Sequence, residues 1–383
     1  MGKIIYLDNS ATTKPYDEVV EYMAHILRNV FGNPSSLHTL GIEAEKAVKK
    51  ARESVSAVLG AKPSEILFTS GGTESNNTAI LGYLEANPRK GNEIITTAVE
   101  HPSVLEVYKS LASKGYKTKF INVDSKGLIK LDELYDAINE NTALISIILV
   151  NNEVGTIQPV DEIAAIKNSK NSSAVLHVDA VQAYGKLKIN PVKSGIGLIS
   201  ISSHKIHGPK GAGALYVGKG IRIKPLLLGG GQEGTLRSGT ENVPAICGFG
   251  LASEMVLKAF DENNNKVRAI REKFISLLNE NITGFKINSP EDGLPHIVNI
   301  SFPNVRSEVL LHHLEQRNIF VSTGSACSSR KNIHSHVLKA MGLKACDIEG
   351  AIRFSFSHFN SYEDIEETVS ALKDILPAIS TKR

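Results

Sequence analysis

Between positions 65 and 217 the sequence alternates short β-branched or apolar runs with helical patterns, and this alternation constrains the fold more than any other feature of the chain. The runs occupy residues 65–71, 93–99, 117–123, 142–150, 174–180, 198–204 and 213–217. Strands separated by helix-length intervals read as crossover units, which predicts an α/β fold with a largely parallel seven-stranded sheet covered on both faces. Ligands of such sheets sit beyond the carboxyl ends of the strands. Polar residues gather at those ends: Ser70-Gly71-Gly72-Thr73, Glu100-His101, Asn151-Asn152-Glu153, Asp179 with Gln182, and Ser202-Ser203-His204-Lys205. Five strand ends converge on one chemistry.

A chain of 383 residues has room for two or three domains. The polar stretch 261–265 interrupts two helical patterns and reads as a hinge or boundary. Beyond it Val267, Ile270, Phe274 and Leu277 recur at helical spacing, followed by strands at 296–302, 319–323 and 351–357, a helix near 307–316 and a closing helix from Tyr362. The expected division is a large domain over 16–260 and a small α/β domain built from 1–15 and 261–383.

The 43 basic and 40 acidic residues leave a net charge of +3 with no basic block, so neither nucleic acid nor a membrane surface is an expected partner. The longest nearly apolar run, 143–150, is far short of the ~20 residues of a membrane span. Asp8-Asn9-Ser10 arrives before a signal-peptide apolar region could form, which suits a cytoplasmic or organelle-matrix protein. Cys247, Cys327 and Cys346 include no C-x-x-C, which removes a disulfide framework and a zinc knuckle. Neither His312-His313 nor His334 with His336 has a carboxylate or thiol to complete a ligand set, and no metal is expected.

Three segments carry chemistry. The glycines of Ser70-Gly71-Gly72-Thr73-Glu74-Ser75 end a strand and open a helix, which is either a phosphate cradle or an ordinary capped turn. Asp179 ends a buried-strand pattern, where an unpaired charge would be penalised, so it requires a cationic partner: a salt-bridging Lys or Arg, or a ligand. Lys205 follows another strand in a glycine-bounded loop beside His204, and is either solvated or desolvated enough to form a Schiff base with an aldehyde. Together these are what pyridoxal 5'-phosphate requires: an anchor for its phosphate, an anion on its ring nitrogen and an amine for its carbonyl.

The run from Tyr6-Leu7-Asp8-Asn9-Ser10-Ala11-Thr12-Thr13 to Arg353 resembles the cysteine desulfurases of the iron-sulfur-cluster assembly branch, within the class V aminotransferase superfamily. The motifs that carry the resemblance begin at Thr69, Glu100, Asn151, His177, Ser202, Arg237 and Gly324 and stand in the family's order. It implies the type I pyridoxal-phosphate-dependent transferase fold, a homodimer, and conversion of L-cysteine to L-alanine with sulfur passed to an acceptor such as a cluster scaffold.

By the same resemblance Lys205 forms the Schiff base, Asp179 pairs with the pyridinium nitrogen and His101 stacks on the ring and exchanges protons. Asn152 and Gln182 contact the ring's phenolic oxygen. Gly72, Thr73, Ser202 and His204 hold the phosphate, and Thr240 joins them from the neighbouring subunit. Cys327 attacks the substrate sulfur and becomes a persulfide, while Arg353 binds the substrate carboxylate, its planar fork suiting that group. Cys247 and Cys346, in apolar helical patterns, are expected to pack inertly. Selenocysteine lyase, a class V transaminase and a sulfur-transfer scaffold with weak turnover are the rival readings.

Overall fold

The computed structural model describes residues 3–323 and 335–380. Its strands, in chain order, are β1 (Ile5–Tyr6), β2 (Ile66–Thr69), β3 (Glu93–Thr97), β4 (Lys117–Ile121), β5 (Thr142–Ile148), β6 (Val175–Asp179), β7 (Leu198–Ser202), β8 (Gly213–Val217), β9 (Lys286–Ile287), β10 (Ile297–Ser301), β11 (Ile319–Phe320) and β12 (Ala351–Ser355). Seven of them form one sheet in the order β2-β8-β7-β6-β5-β3-β4. Only β8 runs antiparallel to its neighbours, β2 and β7. The carboxyl ends of β2, β3, β5, β6 and β7 therefore lie on one side, where the polar clusters were expected.

The runs are apolar at successive residues because both faces of the sheet are covered. Ile95, Ile145, Leu176 and Ile199 enter a core shared with the helices Asp17–Asn29, Thr39–Leu59 and Val243–Lys258. Their neighbours Ile94, Leu144, Val175 and Leu198 enter the opposite core with Tyr83, Val104, Tyr108 and Leu111. Helices on the first face end where the sequence dictates: Gly60, at φ +60°, terminates Thr39–Leu59 in the left-handed conformation.

A separate core gathers Val267, Ile270 and Phe274 with Ile300, Phe354 and Leu372. Its antiparallel sheet has the order β12-β10-β9, and the helices Phe260–Asn281, Ser307–Glu315 and Tyr362–Ile379 pack with it. The N-terminus joins this core, for β1 pairs in parallel with β11 and Asp8 bridges Ser355. The polar stretch 261–265 is not a break: it lies within Phe260–Asn281, and the chain bends at Ala259, where two helices meet at 74°. Asp261 and Glu262 are exposed in the first turn, where acidic side chains favour a helix start, so polarity there marks the start of a helix. Among the described residues no single helix is long and apolar enough to cross a membrane.

Candidate active site

Lys205 closes the short 3-10 turn Ser203–Lys205 directly after β7. Its Nζ donates to the carbonyl oxygens of Ser10 and Ala11, at 2.5 and 2.8 Å. That N-terminal loop is fastened from several directions. Thr13 Oγ1 donates to the carbonyl of His204 at 2.9 Å, the His207 amide donates to Thr13 Oγ1 at 2.7 Å, and Gln182 Nε2 donates to Ser10 O at 2.9 Å. The loop that receives the lysine amine thus bridges the two cores.

Asp179, the last residue of β6, is 3% exposed. Its Oδ2 accepts from Asn76 Nδ2 at 2.7 Å and its Oδ1 from the Val181 amide at 3.0 Å. Asn76 Nδ2 also reaches Ser103 Oγ at 2.8 Å, and Ser103 Oγ lies 2.8 Å from His101 Nδ1. His101 precedes Pro102 and caps the helix Pro102–Ser113, its Nδ1 accepting from the Ser103 amide at 3.2 Å. Nδ1 is therefore the acceptor nitrogen, which leaves the ring proton of the neutral imidazole on Nε2. Burial holds the His101 pKa below its ordinary value, with Asp179 opposing and Lys205 reinforcing the shift, so His101, Asp179 and Lys205 share one electrostatic environment.

The glycine turn is built as a cradle. Gly71 has φ +153° and ψ −176°, a conformation open essentially to glycine alone. A Cβ there would occupy open space 4.0 Å from Ser202 Oγ. Ser202 Oγ and Gln182 Oε1 are buried without a hydrogen-bond partner, so both are available to a bound polar group. The following helix continues from Gly72 through a π turn to Ala86. Arg237 holds Glu74 at 3.1 Å, and Arg52 and Glu233 pair through two bonds of 2.7 and 2.9 Å, tying the loop before Thr240 to this face. Thr73 and Thr240 are themselves exposed. His204 lies 3.2 Å from Thr12 Oγ1, and burial together with Lys205, Lys210 and Lys186 pushes its pKa down to about 3, so its ring is neutral at neutral pH.

Arg353, on β12, is 3% exposed and does not present an empty fork. Nη1 donates to Asn152 O and Nη2 to Asp8 Oδ1, each at 2.9 Å, while Nε has no partner. Cys247 is buried, and burial raises its thiol to about 11, as expected of a packed cysteine. Cys346 differs from that expectation: it is only partly buried, because the helix Ala345–Glu349 is one turn at the protein's edge. Cys327 and His334 lie outside the described residues, and among those described no three His, Cys, Asp or Glu side chains form a metal-binding group.

Sequence reasoning missed Asn76, Ser103, Ser10 and Glu100 as parts of the site. All stand inside motifs already singled out, but their roles follow from contacts distant in sequence. Glu100 is fully buried: Oε1 accepts from Thr97 Oγ1 at 2.6 Å and from the Ile148 amide at 2.9 Å, while Oε2 has no partner. Burial raises its carboxyl from 4.5 to about 8. The folded protein therefore retains a proton that the unfolded chain releases between those values, and stability falls as pH rises from about 4.5 to about 8. Glu100→Gln keeps the shape and removes the titration. Urea unfolding at pH 5 and pH 8 is expected to show a smaller loss of stability across that interval in the variant than in the parent; an equal loss would refute the assignment.

The family model for aminotransferase class-V matches residues 5–368. A protein of Nostoc sp. named cysteine desulfurase is 45% identical over 374 residues, covering 97% of this chain and 93% of the relative. One from Dictyoglomus turgidum named cysteine desulfurase IscS is 42% identical, covering 100% and 96%. Among solved structures, a NifS-like protein superposes with a TM-score of 0.93 at 42% identity, covering 98% of this chain and all of the other. A structure described as SspA in complex with cysteine gives 0.83 at 36% identity, covering 93% of this chain and 100% of that one. The fold, the order of the motifs and these full-length likenesses agree, and the chain belongs to the aminotransferase class-V family.

Proposed function

We propose that this protein is a pyridoxal 5'-phosphate-dependent cysteine desulfurase that converts L-cysteine to L-alanine and leaves the sulfur on Cys327 for transfer to an acceptor protein. The observation that carries the reading is the shared environment of Lys205, Asp179 and His101 beyond the carboxyl ends of β7, β6 and β3, in a chain 45% identical to a named cysteine desulfurase. The residues fit the cofactor: the Gly71 cradle beside the unpartnered Ser202 Oγ suits a phosphate, and the unpartnered Gln182 Oε1 suits a ring substituent. Gly72, Thr73 and His204 would complete the phosphate contacts, and Asn152 would join Gln182 at the ring. When bound, the cofactor supplies an electron sink for the substrate α-carbon.

The side chains divide the remaining work. Lys205 would hold the cofactor through its Nζ, and the same amine would accept and return the substrate α-proton. Asp179, fixed by Asn76 and the Val181 amide, keeps a proton on the ring nitrogen. His101 is held by its own helix cap with Nε2 free to move protons. Arg353 receives the substrate carboxylate, its unpartnered Nε and the exchange of Asp8 supplying the donors. Cys327, as thiolate, attacks substrate Sγ; the C–S bond breaks, the carbon fragment takes up a proton and departs as alanine, and Cys327 keeps the sulfur as a persulfide.

Incubating the cofactor-loaded protein with L-cysteine tests this directly. Without a reducing thiol about one equivalent of alanine per site is expected, and with one, continuous alanine and sulfide release. Cofactor binding without any alanine would refute the reading. The proposed large and small domains, 16–260 and 1–15 with 261–383, are supported by their separate cores.

A homodimer with composite sites is proposed as well. Its support is the exposed Thr240 at the end of a loop that Glu233 and Arg237 tie beside the cradle. If Thr240 completes a partner's phosphate site, cofactor affinity and dimerisation are linked. Sedimentation is expected to show a dimer whose dissociation weakens on cofactor loading; a stable monomer with full cofactor occupancy would exclude it.

A further inference from the structure

Between the two cores lies a cavity of about 30 Å³ that borders the site above through Lys205. Lys186 and His207 face it from the large-sheet side, and His296 and His358 from the side of β10 and β12. Neither Asp nor Glu is among its lining residues. A volume of this size exceeds the ~10–15 Å³ that one water needs and suits a monatomic ion better than a phosphate.

Its cationic lining groups are lysines, beside three histidines and neutral Asn, Thr and Ser side chains that can accept as well as donate. The Lys186 side-chain amine makes no hydrogen bond or ion pair within the described residues, although it lies deep enough that burial, aided by the charge of Lys205, lowers its pKa to about 7. His296 is 8% exposed and its Nδ1 has no partner. His207 is held at φ +64°, with its amide on Thr13 Oγ1 and its Nδ1 2.8 Å from Lys14 O, a conformation that costs a non-glycine residue energy. Its ring meets that of His358 edge-on, with centroids 4.8 Å apart and planes at 66°. The acidic side chains of the adjoining elements turn away: Asp261 meets Lys188 at the surface, and Glu254 and Glu262 are exposed. Asn263 in the first turn of Phe260–Asn281 also lines the cavity, and that helix end adds positive potential.

We propose that this inter-core cavity is a binding site for a small monovalent anion of halide size, held by the Lys186 ammonium and the His296 ring N–H. An anion there neutralises a charge that the pocket otherwise leaves unpaired, and it joins side chains from both cores, so occupancy stabilises their arrangement. The cavity shares Lys205 with the proposed reaction site, but anion binding there does not require the desulfurase reading.

Potassium bromide is the probe, titrated into the cofactor-loaded full-length protein against potassium gluconate at constant ionic strength. A saturable rise in the thermal midpoint is expected with bromide and not with gluconate. In Lys186→Met, with an unchanged far-UV spectrum, the apparent bromide affinity is expected to fall at least about tenfold. Crystals soaked in bromide are expected to show an anomalous peak within hydrogen-bonding distance of Lys186 Nζ. Equal responses to both salts, an undiminished saturable response in Lys186→Met, or a cavity holding water alone in the bromide crystals would overturn the proposal. Should Lys186→Met fail to fold, the bromide crystals and the same titration of His296→Phe decide it.

Discussion

Replacement of Lys205 by alanine is expected to abolish the visible absorbance of the bound cofactor and to lower alanine production by at least about 10²–10⁴-fold, the usual contribution of a lost proton carrier alone. The expected effect is large because, in the proposed reaction, one amine serves as both covalent anchor and base. The fold should survive. The substitution removes the hydrogen bonds to Ser10 O and Ala11 O; Ser10 O still accepts from Gln182 Nε2, so the cost falls on Ala11 O, at about 1–3 kcal/mol. The loop retains its other fastenings, from Thr13 to the His204 carbonyl and from Gln182 to Ser10. Circular dichroism should therefore match the parent while absorbance and turnover vanish. Lys210 is the control: it is exposed in a turn ending at Gly211, φ +79°, and Lys210→Ala should keep both signals. Normal alanine release from Lys205→Ala would overturn the site.

How much of this was legible in the sequence follows from the range over which each signal acts. The seven strands were readable because a sheet covered on both faces requires apolar residues at successive positions, and Ile94 with Ile95 or Leu144 with Ile145 satisfies that requirement locally. The reading overran strand ends, as at Gly71 and His204, although the small and polar residues Ser70-Gly71 and Ser203-His204 already belong to the turns that build the site. The polar stretch 261–265 is helical, its asparagines occupying a helix in which Val267, Ile270 and Phe274 carry the buried face, and the bend that composition alone could only bracket falls at Ala259, just before it.

The site was legible at residues whose chemistry is unusual for their position: a carboxylate ending a buried strand, a lysine in a glycine-bounded loop. It was not legible at Asn76, whose bond to Asp179 spans 103 positions. Nor could sequence show that Arg353 already holds Asp8, because two charges 345 residues apart announce no pairing. Cys346 was taken as packed because its neighbours are apolar, yet a helix of 5 residues is too short to enclose it.

Cys327→Ser is expected to separate binding from sulfur transfer completely. Cys327 lies outside the described residues, so the expectation rests on its place in Gly324-Ser-Ala-Cys-Ser328 and on thiol chemistry. Neither the link to Lys205 nor capture of the substrate carboxylate by Arg353 uses the thiol. The variant should therefore keep the cofactor absorbance and its perturbation on adding L-cysteine. What should disappear is the persulfide, because a serine hydroxyl is scarcely ionised at neutral pH and is a poor nucleophile toward sulfur, whereas a cysteine thiolate is a good one. The other two cysteines cannot substitute. Cys247 is buried with its pKa raised to about 11, and Cys346 sits on the short helix before β12. Cys247→Ser should cost stability, by leaving a hydroxyl in an apolar core, and spare sulfur transfer. Mass spectrometry of peptides after L-cysteine treatment reads the outcome: a single added sulfur on the Cys327 peptide of the parent, and none on any peptide of Cys327→Ser. Added sulfur on Cys247 or Cys346, or undiminished alanine release from Cys327→Ser, would mean that a different group accepts the sulfur or that the reaction is not a desulfuration.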